Sequence, residues 1–421
     1  MQLLWKLRPS AVAPRQRSGE SWKILTLCCE YPPVGGGGAT ACQGLAEGLV
    51  RAGHRVDLVT SGMRGLPRFE RLNGVRIHRV GGIRRRAHYS TAAEQLSHLI
   101  PAYRKALELA RERDYDLLHC HFVVPGGLLG YLVARRTGLP YVITAHGSDV
   151  PGYNPDRFRL LHRLIRPLWS RIVDQSSAIS APSDFLRDLI AAQSKRPTVL
   201  IPNPFDATTA DGQAPGRRVL LASRMVERKG VQHLLEALAD LETDWEFWIA
   251  GDGPYLKSLQ KLAAGASPRV RFLGFVPRSE LAAIYRSARI FVFPSLQENF
   301  PMVLLEAMAA GCAVITTSAQ GCVEVVGDAA MVVEPGNPTA LREALAHLLA
   351  DDAAIEQLGA AGRVRVRRFA SSRVVAQFDN LFRGCLHPRS MPPAPAVARQ
   401  SIRPALPLPS AAQRITHEAR R

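Results

Sequence analysis

The residues best able to do chemistry fall in two stretches about seventy positions apart. Pro294–Gly311, reading PSLQENFPMVLLEAMAAG, carries Glu298 and Glu306, and residues 219–230, reading VLLASRMVERKG, carry Arg224 and Lys229. A carboxylate offers two acceptor oxygens, which suits the hydroxyls of a sugar or ribose. Arginine and lysine neutralise phosphates, the guanidinium through paired donors. Together these side chains suit a polyhydroxylated ligand that bears a diphosphate. Taken singly, each glutamate would also pass for an exposed surface acid.

The elements around them decide between the two readings. Ile-Phe-Val-Phe at 290–293 reads as a buried strand, and after it Met302, Leu305, Met308 and Ala309 recur at helical spacing, with Gly311 as a stop. Glu298 is therefore expected in a strand-to-helix loop, Glu306 about two turns further on, and Pro301 in the first helical turn. Arg224 closes a second apolar strand and Lys229 precedes a second helix. Open α/β sheets bind ligands at such strand ends, beside free helix amides. His146 follows the strand Tyr141-Val-Ile-Thr-Ala, beside Gly147 and Asp149. Four glycines at 35–38 follow the first strand, 22–29, and could let a ligand approach the backbone.

ASRMVERKG, AGDGP at 250–254, FPSLQENFPMVLLEAMAAGCAVI and Thr144–Asp149 (TAHGSD) resemble the family-4 retaining glycosyltransferases of the GT-B fold. The resemblance runs over roughly residues 22–385. It implies an α/β chain of two Rossmann-like domains with parallel sheets facing across a cleft. The expected division is a disordered leader, 1–20; an acceptor-side domain, 21–205; a nucleotide-sugar domain, 206–369; a helix, 370–385, returning to the first domain; and a disordered Pro/Arg-rich tail, 386–421. The implied reaction moves a hexosyl unit from a nucleoside-diphosphate sugar to a hydroxyl on a lipid-linked or saccharide acceptor, with retention.

The same resemblance implies roles. Arg224 and Lys229 would meet the diphosphate, Glu306 the ribose, and Glu298 the sugar hydroxyls with the Asn299 and Phe300 backbone. Gly36 and Gly37 would lie near the donor phosphates and the acceptor, Phe275 and Val276 would flank the nucleobase, and His146 would touch the transferred sugar as a positioning donor. Two departures stand out: Asn203-Pro204 where the family usually has Asn-Gly, and Cys322 where glycine is common.

Composition narrows the alternatives. A chain of 421 residues, 47% hydrophobic, is long enough for two cores. The net charge of +18 is half supplied by residues 1–18 and 386–421. The remainder lacks an RNA-binding aromatic signature, so no nucleic-acid partner is expected; the charge favours phosphate-bearing ligands and anionic membrane surfaces. Seven cysteines without paired spacing suggest a reducing compartment. No apolar run reaches the roughly 18–20 residues of a membrane span, so a cytoplasmic protein, attached at most peripherally, is expected.

The helix 156–174 alternates arginines with leucines and could dock on an anionic leaflet. Arg84-Arg85-Arg86 reads as a solvated loop. Asp57, 20 residues after Gly37, would suit a dinucleotide oxidoreductase but sits inside a strand. Asp114-Tyr-Asp116 lies at the wrong end of a strand for a metal-bound nucleotide, and strand alternation separates Cys120 from His119 and His121. No metal and no cofactor are expected. A catalytically silent GT-B protein that binds partners through basic surfaces is the alternative from another class.

Overall fold

The computed structural model describes residues 21–86, 91–153, 155–207, 216–239, 241–264 and 269–387. The leader, most of the expected linker and nearly all of the tail lie outside these residues. Two sheets organise the chain. The first contains β1 (Lys23–Leu27), β2 (Arg55–Ser61), β3 (Phe69–Leu72), β4 (Val75–Val80), β5 (Leu117–His121), β6 (Tyr141–Thr144), β7 (Ala178–Ala181) and β8 (Thr198–Leu200). Its order is β3-β4-β2-β1-β5-β6-β7-β8, all parallel except the hairpin β3–β4.

The second contains β9 (Arg218–Ala222), β10 (Glu246–Ala250), β11 (Val270–Gly274), β12 (Ile290–Phe293), β13 (Ala313–Thr317) and β14 (Met331–Val333), in the order β11-β10-β9-β12-β13-β14. All its pairings are parallel. Helices cover both faces of each sheet, which is why strands such as VLLA and IFVF are apolar throughout. Trp169, Trp245, Phe291 and Phe293 are buried, each worth about 1.5–3 kcal/mol by area.

In both sheets the strand order reverses between two neighbours, β1 and β5 in the first and β9 and β12 in the second. Chain connections leave such a pair in opposite directions, which opens a crevice at their carboxyl ends. The chain therefore builds two crevices, one per domain. Helix Ser371–Leu386 leaves the second domain and packs Val374, Val375, Phe378 and Phe382 against Trp22, Ile24 and Leu45 of the first. The Trp22 indole donates to Asp379 at 2.8 Å.

Several elements differ from the sequence reading. Over residues 91–113, where the sequence suggests a single helix, two form, Ala92–Ser97 and Leu99–Glu112, parted at buried His98. Strand β7, AISA, and strand β14, MVV, are too short and plain to show a period. Hairpin β3–β4 turns on Asn73-Gly74, both at positive φ, a strong two-residue hairpin signal that the sequence reading passed over. The loop of Arg84 is not uniformly solvated: its side chain is 4% exposed and pairs with Glu30 at 3.1 Å.

Candidate active site

The second domain's crevice is assembled by glycines. After β9 the chain carries Arg224 through residues 223–230, and a β-carbon on Gly251 would lie 1.7 Å from the Ser223 carbonyl. The Met225 amide donates to Asp252 O at 2.9 Å, so the Gly251-Asp-Gly-Pro turn clamps the Arg224 loop from beneath. Gly230, at φ +69°, does the same on the other side, where a β-carbon would meet Pro294 O at 1.9 Å. That close approach lays the β9 loop against the β12 loop, and the Leu296 amide donates to Arg228 O at 2.8 Å.

This contact joins Lys229 to Glu298. The ammonium donates to Glu298 Oε1, which also accepts from Ser295 Oγ at 2.7 Å. Both side chains are nearly enclosed. Burial lowers the Lys229 pKa below its ordinary value; Glu298 opposes that shift, while Arg224 and Arg228 add to it. Arg224 itself is exposed. Lys229 and Glu298, assigned to different parts of a ligand from the sequence, are thus direct partners.

Helix Met302–Ala310 follows. Pro301 stands at its N-cap and not inside the first turn, and no side chain caps the helix start, which leaves early amides for a ligand. Glu306, half-buried, is only about one turn into the helix, because Glu298 belongs to the loop before it. Asn299 and Phe300 are nearly buried; a β-carbon on Gly321 would lie 2.1 Å from Asn299 O. Phe275 is exposed just after β11, and Val276 packs on the core. The Gly251 turn links the end of β11 to the Arg224 loop, its amide donating to Gly274 O at 2.7 Å.

The first domain's crevice is lined by the glycine loop and histidines. Gly35, at φ +115°, and Gly38 have no room for a side chain, the first against Ala39 and Glu30, the second against Phe122. Gly36 has open space around it, and the nearest atom to a β-carbon on Gly37 is Met302 Cγ at 4.0 Å. Helix Gly37–Arg51 therefore starts opposite the start of Met302–Ala310. His146 lies beside this loop, its Nε2 3.0 Å from His121 Nδ1. Burial holds His146 neutral, at a pKa of about 4. Asp149 fixes the turn, accepting from the amides of His146 (3.0 Å), Gly147 (2.8 Å) and Val123 (2.7 Å).

The two crevices meet. Asn299 Nδ2 donates to the His146 carbonyl at 2.9 Å, and its Oδ1 accepts from Ser183 Oγ at 2.5 Å. Gln297 reaches Tyr153 O. Glu324 accepts from the amides of Asp184 (2.8 Å) and Phe185 (3.3 Å) at the start of helix Asp184–Ala191. Enclosure raises the Glu324 pKa to about 7. One face of the cleft is charged and the other neutral, with both helix starts opening into it.

The chain matches Glycosyltransferase Family 4 over residues 35–209 and Glycosyl transferases group 1 over residues 216–351. The chain belongs to the family-4 glycosyltransferases. Among relatives, N-acetyl-alpha-D-glucosaminyl L-malate synthase of Bacillus anthracis is 28% identical, covering 86% of this chain and 96% of its own. Alpha-monoglucosyldiacylglycerol synthase of Streptococcus pneumoniae is 27% identical over 68% of each. Among solved structures, sucrose-phosphate synthase from Thermosynechococcus elongatus has a TM-score of 0.72 at 23% identity, covering 86% of this chain and 98% of that one. Anabaena HepE with UDP-glucose has a TM-score of 0.67 at 19% identity, covering 85% and 98%. The fold is GT-B.

Residues outside the glycosyltransferase cleft have other employment. Asp57 is fully buried among Arg76, His78 and Arg113 at 2.5–3.0 Å; burial pushes its pKa up, but bonds from His78, Tyr115 and Arg76 outweigh this and hold it below the usual range. Asp116 accepts from the Lys23 amide at 2.7 Å. The rings of His119 and His121 lie 4.5 Å apart, whereas Cys120 packs on Gly130. Sequence reasoning missed His121, Ser183, Ser295 and Glu324 as parts of the site. Ser295 lies three positions before its partner Glu298 in the same stretch, whereas His121, Ser183 and Glu324 meet partners from distant loops.

Proposed function

We propose that this glycosyltransferase moves a hexosyl unit from a nucleoside-diphosphate sugar to a hydroxyl of a lipid-linked or saccharide acceptor, with retention and without a metal. The observation that carries this reading is the Lys229–Glu298 pair, set in the loops after β9 and β12. Breaking the bond from the anomeric carbon to phosphate drives negative charge onto the departing diphosphate. Lys229, Arg224 and the first amides of helix Met302–Ala310 would meet that charge where it develops. Glu306 would hold ribose hydroxyls.

Glu298 Oε1 is occupied by Lys229 and Ser295, so Oε2 would face the sugar. Neutral His146 would supply a hydrogen bond near the reacting carbon. Departing phosphate would assist deprotonation of the acceptor hydroxyl on the same face, which retains configuration. The donor nucleotide we favour is UDP, which HepE binds. The glycolipid product named for the pneumococcal relative supports a lipid acceptor.

The test is a thermal-shift and hydrolysis screen of nucleoside diphosphates and their sugars in excess chelator. At least one diphosphate should stabilise the chain and its sugar should be hydrolysed, with the product anomer read by NMR. A requirement for added metal, or inversion, would refute those parts. A peripheral site is also proposed. On helix Pro155–Asp174, Leu164, Leu168, Arg166 and Arg171 are exposed while Trp169 and Ile172 are buried, a pattern suited to an anionic bilayer surface. No described helix is long and apolar enough to cross a membrane. Sedimentation with anionic but not neutral liposomes, abolished by high salt, is expected; equal binding to both refutes it.

A further inference from the structure

A second basic cleft lies beside the first domain's crevice, between hairpin β3–β4 and helix Leu99–Glu112. It encloses about 1100 Å³ and is lined by seven arginine and lysine side chains against one carboxylate, Glu108. Glu108 is already engaged by Lys105. Arg84 and Arg113 have carboxylate partners. Arg64, Arg68 and Arg104, also lining the cleft, are exposed and make no ion pair with described residues.

Arg79 is the distinctive member. Its side chain is 2% exposed, with Nη2 held by Glu70 at 2.5 Å and by Pro32 O at 3.2 Å. Its Nε and Nη1 are buried with no acceptor. Unmet donors on an enclosed guanidinium are costly, and an oxyanion in this cleft would satisfy them while the three exposed arginines supply further charge. The fork of an arginine matches a phosphate better than a single carboxylate oxygen does.

Two arginines of the cleft also hold the segment before the glycine loop. Arg79 holds the Pro32 carbonyl, and Arg84 holds Glu30, whose side chain lies against Gly35. An anion bound here is therefore separated by these two arginines alone from the segment that leads to Gly36 and Gly37. We propose that this cleft binds a phosphate ester carried by the acceptor. Assigning the ester to the acceptor rests on the transfer reading; its binding to the cleft does not.

The experiment is calorimetric titration of the full chain at low salt with glycerol 3-phosphate, with monomeric dihexanoylphosphatidic acid, and with glycerol as the uncharged control. Arg79→Gln and the exposed pair Arg68→Gln/Arg104→Gln are titrated alongside. Binding of either ester but not of glycerol, weakened about tenfold or more in the exposed pair, is expected. If both esters bind, the phosphate suffices; if only the lipid binds, acyl contacts contribute. Failure of both esters to bind, or binding undiminished in the exposed pair, overturns the proposal. UDP is titrated into the same samples, so loss of UDP binding with ester binding intact would strike the donor reading alone.

Discussion

The two faces of the cleft work by different physics. The second domain presents ions, Arg224, Lys229, Glu298 and Glu306, two of them paired and enclosed. The first presents backbone and neutral rings: glycines without room for side chains, and histidines held uncharged by burial. A charged face can stabilise a leaving diphosphate, and a neutral one can place a sugar without competing for it. Substitutions on the charged face should accordingly act on turnover, and those on the neutral face on geometry and stability.

The largest effect that would test this contrast is Lys229→Ala. Turnover should fall by about two to three orders of magnitude, as for a lost electrostatic donor, and the thermal midpoint should fall too, because Glu298 is left enclosed without its cation; unchanged turnover would remove Lys229 from the mechanism. Gly251→Ala separates scaffolding from contact. With φ at +136° and a backbone oxygen in the way, it should cost about 3 kcal/mol or more in denaturant unfolding. Gly36→Ala, in open space, should leave unfolding unchanged and weaken nucleotide-sugar binding, if a ligand approaches that backbone.

The neutral face predicts a pH dependence. His119 and His146 are held at about 3 and about 4, and His121 well below its ordinary value, in each case chiefly by burial. In the unfolded chain they titrate near 6.5. The unfolded state then binds more protons as pH falls below about 6.5, so stability present above that pH is lost on going towards 4. The thermal midpoint should drop between pH 7 and pH 5, and less steeply in His146→Asn. An equal slope in both proteins would show that His146 is not buried neutral. The smallest effect is expected from Glu324→Ala, which removes the acceptor at the start of helix Asp184–Ala191. By analogy with a lost cap, about 1 kcal/mol should appear as a severalfold rise in donor KM, with little change in kcat.

Much of the charged face was legible because its ions lie at strand ends announced by short apolar runs. The neutral face was less so. Gly36 and Gly37 were chosen within a run of four identical residues, yet the steric demand falls on Gly35 and Gly38, and nothing local distinguishes them. Strand β7 went unseen because two alanines and a serine carry little β-propensity. The Asn73-Gly74 turn was visible but unread.

The sequence by itself determined the alternation of strand and helix, the glycosyltransferase family and the four ions of the second domain, since these depend on residue type and local spacing. Only the tertiary structure decided that Lys229 rests on Glu298, that His121 backs His146, that Ser183 and Glu324 tie one domain to the other, and that Arg79 is buried with donors unmet. Each of these joins residues from separate loops, and such pairings exist only once strand order and close packing have brought the loops together.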